Sequence, residues 1–100
     1  MIELDPDIHQ PTRLRIVALL SGLARADFNF LRTALRLTEG NLSSHMARLE
    51  QVGYVEITKV FNEKIPKTSY RLTRRGRSSL EKYWRALDQL RREVGPAADA

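Results

Sequence analysis

LTEGNLSSHMARLEQVG, residues 37–53, contains both ends and both faces of a helix. Thr38 is a good N-cap, its hydroxyl able to accept from a first-turn amide, and Gly53 stands where a helix C-terminus needs a residue tolerant of a left-handed backbone. The two ends bound about four turns. Leu42, Met46, Leu49 and Val52 recur at spacings of four, three and three, which predicts an apolar stripe lying on a core. Gly40, Ser43, Ser44, Ala47 and Gln51 project to the opposite side, with Asn41 and Arg48 on one flank.

A helix that merely faces solvent is usually dense in Glu and Lys. This outer face is small, short-armed and hydrogen-bonding, so another surface can approach it closely. Thr38, Asn41, Ser43, Ser44 and Arg48 suit phosphate and base contacts, and the helix N-terminus favours anions. The expectation is a DNA recognition helix. An ordinary amphipathic helix is the competing reading, because periodicity reports only burial, and the flanking sequence decides between them.

Upstream, Asp27 is a plausible N-cap for a short helix to residue 35, with Phe28, Leu31 and Leu35 on one side. Only Arg36, Leu37 and Thr38 separate the two helices. Such a tight pair predicts a helix-turn-helix. Before it, Pro11 suits a first helical position, and Leu14, Ile16, Val17, Leu19 and Leu20 predict a buried helix ending at Ser21-Gly22. Arg13, near the start of that helix, is a candidate for a phosphate contact or an ion pair with Asp5 or Asp7.

Downstream of Gly53 the period changes. Tyr54, Val55, Ile57, Val60 and Phe61 predict a strand over 54–61, NEKIPK (62–67) a turn, and TSYRLT (68–73) a returning strand with Tyr70 and Leu72 inward. Residues 59–77 carry seven cations against Glu63 alone. Lys64, Lys67 and Arg71 are therefore candidate contacts of a wing to the DNA backbone or minor groove.

Thr73 predicts a cap for a last helix reaching about residue 94. Leu80, Tyr83, Trp84, Leu87, Leu90 and Val94 form a stripe longer than a small domain can cover. That predicts a protein interface, with a two-fold homodimer as the commonest outcome. Trp84 and Leu87 are expected at its centre, with Leu4 and Ile8 of the N-terminal segment contributing; packing on the first helix of the same chain is the competing reading.

The chain has 100 residues, enough for one domain with a modest core; 1–94 are assigned to it and 95–100 to a disordered tail. Lys and Arg number 17 against 12 Asp and Glu, a formal +5, which favours an anionic partner. There is no Cys, so disulfides, thiolate metal sites and cysteine nucleophiles are excluded. With no apolar run of about 20 residues and no signal-peptide pattern, no membrane partner is expected and a cytoplasmic location is. Asp5 and Asp7 have no His or Lys arranged around them, and there is no glycine-rich phosphate loop or nucleophile elbow; no enzyme, metal site or cofactor is expected.

The order of elements, mainly α with a small β-hairpin (an α+β fold), is that of a winged helix-turn-helix with a C-terminal dimerisation helix. The residues support it. HQPTRLRIVALL (9–20) resembles the first-helix signature of ArsR-like regulators. NLSSHMARLEQVGYVEI (41–57) resembles the recognition helix and first wing strand shared by MarR-like and ArsR-like repressors, and YRLTRRG (70–76) the second wing strand. The resemblance spans residues 8–90. It implies a short, single-domain transcriptional regulator, cytoplasmic and homodimeric, bound to a pseudo-palindromic operator in double-stranded DNA. By that resemblance Asn41, Ser43, Ser44, His45 and Arg48 are recognition-helix positions, and Lys64 and Lys67 wing positions. The chain departs from the metal-sensing members, having no Cys and only His9 and His45, and it is shorter than MarR-like proteins, so neither a metal nor a small-molecule effector is assigned. Repression by occluding a promoter is expected over activation. Two alternatives stand beside this reading, a winged-helix module for protein association and a sequence-blind architectural DNA binder.

Overall fold

The computed structural model describes residues 2–97, so the tail expected over 95–100 lies, for 98–100, outside the described residues. Helices α1 (Pro11–Ser21), α2 (Phe28–Leu35) and α3 (Glu39–Gln51) are followed by strands β2 (Val55–Asn62) and β3 (Ile65–Leu72) and by helix α4 (Arg74–Val94); a two-residue strand, β1 (Ala26–Asp27), precedes α2.

The expected caps form. The Asp27 side chain accepts from the Phe30 amide, Thr38 from Asn41 and Thr73 from Gly76, each satisfying a first-turn donor that the helix leaves unpaired. Gly53 takes a left-handed backbone, φ 82°, directly after α3. Between α2 and α3 the same conformation falls on Arg36 (φ 55°), where the amides of Arg36 and Leu37 close the last turn on Thr33 and Arg32.

The hairpin differs from expectation at its tip. Strand β3 begins at Ile65 rather than 68, and Asn62 pairs with Ile65, so the turn is only Glu63-Lys64, both with positive φ. That is the geometry of a two-residue hairpin turn, normally favoured by Asn-Gly. NEKIPK lacks that signature, and Pro66 argues against a strand; Pro66 is tolerated here opposite Phe61 in the free end of the wing. Lys67 thus stands within β3 opposite Val60 and only Lys64 occupies the tip. Strand β1, which sequence reading did not anticipate, pairs Ala26 with Tyr70 and Asp27 with Ser69, giving an antiparallel sheet in the order β1-β3-β2. Two residues are too short for periodicity to register.

One core joins all of these elements: Ile16, Val17 and Leu20 of α1, Leu31 and Leu35 of α2, Leu42, Met46 and Leu49 of α3, Val55, Tyr70 and Leu72 of the sheet, and Leu80 and Tyr83 of α4. Ile8 belongs to it at 0% exposure. Three residues expected at a dimer interface, Ile8, Leu80 and Tyr83, are therefore buried in their own chain, and Leu4 and Leu87 pack partly against the same core. The stripe on α4 divides: its first half covers the core, and Trp84, Leu90 and Val94 remain exposed.

Candidate nucleic-acid interface

Packing of Leu42, Met46 and Leu49 turns the other side of α3 outward, so Thr38, Asn41, Ser43, Ser44, Ala47 and Arg48 are all exposed. Thr38 is already engaged as the cap. Its hydroxyl oxygen accepts from Asn41 N–H at 3.1 Å, leaving the Asn41 side chain open to an external partner. His45 stands at the edge of the buried stripe, half-buried, with Nδ1 3.3 Å from Arg13 Nη1. Burial, and after it the Arg13 charge, lowers its pKa from the ordinary value of 6.5, favouring the neutral ring.

The cations sort into engaged and open groups. Arg13 is turned inward: Nε donates to the Asp7 carbonyl at 2.6 Å and Nη2 to the Pro6 carbonyl at 3.4 Å. It binds the N-terminal segment through backbone oxygens, rather than through the Asp5 or Asp7 carboxylates weighed from sequence. Arg71 pairs with Glu56, its cross-strand neighbour. Arg77 donates to the Ser21 carbonyl at 3.0 Å, tying α4 to the end of α1, and Arg75 lies 5.9 Å from the Tyr54 ring centroid. Part of the positive run over 59–77 thus holds the fold together. Lys59, Lys64 and Lys67 are exposed and, among the described residues, make no ion pair.

The N-terminal segment is the feature whose role sequence reading missed. It makes one turn, with the amides of Ile8 and His9 donating to the Asp5 carbonyl at 3.1 and 2.7 Å, and Ile8 pins it to the core. From there it reaches three elements. The Tyr54 hydroxyl donates to the Asp5 carboxylate, His9 Nδ1 lies 2.8 Å from the Tyr83 hydroxyl on α4, and Arg48 Nε donates to Asp7 at 2.7 Å. The sequence signal for this was Ile2, Leu4 and Ile8 interrupted by Asp5 and Pro6, which suggests a short packed turn without naming its targets.

A model for the winged helix DNA-binding domain matches residues 12–91, from α1 through most of α4. The chain belongs to that family. Members are DNA-binding proteins. An uncharacterised protein of Methanocaldococcus jannaschii is 38% identical over 82 residues, covering 82% of this chain and 89% of its own. Among solved structures, a transcriptional regulator homologue from Pyrococcus horikoshii is 29% identical with a TM-score of 0.84, over 90% of this chain and 89% of that one. The fold is shared further with a mutant of MarR from E. coli complexed with operator DNA, at 21% identity and a TM-score of 0.64, over 75% of this chain and 53% of that one. This chain thus carries a winged helix DNA-binding domain across residues 12–91. No helix among its described residues is long and apolar enough to cross a membrane.

Proposed function

We propose that the protein is a sequence-specific regulator that binds a pseudo-palindromic operator as a homodimer and represses by occluding the promoter. The observation that carries this reading is the exposed face of α3, where Asn41, Ser43, Ser44 and Arg48 surround the small residues Gly40 and Ala47. Such a face can enter a major groove about 12 Å wide. Asn41, Ser43, Ser44 and Arg48 read base edges, His45 and the α3 N-terminus meet a phosphate, and Lys64 and Lys67 hold the flanking backbone. Arg13 and Arg71, already engaged within the chain, support these elements and add only long-range positive potential. Trp84, Leu87 and Leu90 join two copies along α4, which presents two recognition helices to successive grooves about 34 to 36 Å apart.

Binding to duplex DNA titrated against salt tests the reading. With roughly six to ten phosphates neutralised per dimer, affinity falls by about three to five orders of magnitude between 50 and 200 mM salt. A flat response contradicts it. The exposed apolar wing residues Phe61 and Ile65 favour a second reading, a module that docks on another protein; that reading predicts association without DNA and weak dependence on salt.

A further inference from the structure

Asp7 lies outside the helix-turn-helix, yet its carboxylate meets the recognition helix directly. Arg48 Nε donates to Asp7 Oδ1 at 2.7 Å, with the Arg48 side chain 47% exposed and that of Asp7 only 18%. The backbone that carries the acid is held at both its amide and its carbonyl. Its amide donates to Asp5 Oδ1 at 2.9 Å, its carbonyl accepts from Arg13 Nε at 2.6 Å, and the next residue, Ile8, is wholly buried. Asp5 is in turn fixed by the Tyr54 hydroxyl and by the amides of Ile8 and His9. A partly exposed ion pair adds little to stability, so stability alone does not account for so constrained an arrangement.

The geometry at Arg48 narrows what the contact does. Asp7 takes Nε, while Nη1 makes only a long 3.3 Å contact with Gln51 Oε1. The edge formed by the two Nη groups is the one that meets guanine O6 and N7 end-on. A latch that silenced Arg48 would cover that edge; Asp7 leaves Nη2 without a partner among the described residues and, together with Gln51 on Nη1, restrains the guanidinium. Holding a long side chain in one rotamer removes entropy that binding would otherwise have to remove. We propose that Asp7 is a positioning residue for sequence readout, a buttress that aims Arg48 at a guanine from the N-terminal segment. This rests on the reading of α3 as the helix that enters the major groove.

The test uses the full chain and a pool of random duplexes, followed by competition between the selected duplex and its single-base variants. Wild type, Asp7→Ala, Arg48→Ala and the double variant are compared. Asp7→Ala keeps both backbone bonds of residue 7, and Asp7→Asn, which keeps an acceptor without the charge, guards against a folding defect; equal melting temperatures are checked first. The expected result is a guanine preference that Arg48→Ala abolishes and Asp7→Ala lowers by about three- to tenfold, part of what a bidentate pair supplies. Asp7→Asn falls between, and the double variant is no worse than Arg48→Ala, because the two residues act as one unit. Three outcomes overturn the buttress alone: an unchanged preference in Asp7→Ala, losses that multiply in the double variant, or tighter binding with preference intact. If wild type selects no motif, the reading of α3 fails and the buttress falls with it.

Discussion

Gly40 lies in the first turn of α3, exposed, and a Cβ built on it meets nothing within 4 Å. Nothing within the chain requires glycine at that position, and a helical glycine is less stable than alanine by roughly 0.5 to 1 kcal/mol. If α3 enters the major groove as proposed, close approach of a phosphate backbone would account for it. Gly40→Ala is expected to raise stability by about that amount in thermal unfolding while weakening duplex binding in a titration; a variant that is stabilised and binds equally well removes Gly40 from the interface. His45 gives a prediction with a sign. Its pKa in the folded chain is lowered from 6.5 by burial and by Arg13, so below about pH 6.5 the unfolded chain binds more protons than the folded one. Stability therefore falls as pH drops through that window and levels off once the folded state also protonates. Melting temperatures at about pH 7.5 and about pH 5.5 read this out, and His45→Gln is expected to flatten the difference.

Among the elements, α4 is the most constrained at its start and the least covered at its end. A Cβ on Gly76 would stand 2.3 Å from the Tyr54 carbonyl and 2.7 Å from Leu72 Cδ1, so the first turn of α4 seats on β3 only through glycine. Gly76→Ala is expected to cost about 1 to 3 kcal/mol, as overpacking does, measured by denaturant unfolding. At the other end Trp84 is 42% and Leu90 41% exposed. Trp84→Asp with Leu90→Asp is expected to convert a dimer to monomer in sedimentation equilibrium while far-ultraviolet circular dichroism stays unchanged; a wild type that sediments as a monomer contradicts the α4 interface. The helices were legible because caps and 3.6-residue periodicity are local signals: Asp27, Thr38 and Thr73 each cap the helix that they predict. The wing tip was less legible, since Glu63-Lys64 turns without glycine. What an apolar stripe covers is not local at all. Leu80 and Tyr83 look no different in sequence from Trp84 and Leu90, and only the placement of α1 and of Ile8 buries the first pair. The engagement of Arg48 by Asp7 escaped for the same reason, since 41 residues separate them, whereas for Arg13 the sequence pointed to Asp5 or Asp7 and only the acceptor differed, the Asp7 carbonyl in place of a carboxylate.

Across the whole molecule, the N-terminal segment links the recognition helix to α4. Asp7 reaches Arg48, Asp5 reaches Tyr54, and His9 reaches Tyr83, beside which Trp84 packs edge-on with ring centroids 5.6 Å apart. The surface proposed to read DNA and the helix proposed to join two copies therefore share one support, and the account expects the dimer rather than the DNA to set the spacing of the two copies of α3. The most direct measurement is selection from random duplexes by the purified protein at low and at moderate salt. The account predicts an enriched inverted repeat with half-sites about one helical turn apart, about 10 base pairs, and affinity that falls steeply with salt. Salt-sensitive binding with no enriched repeat, or no binding at either salt, would contradict it.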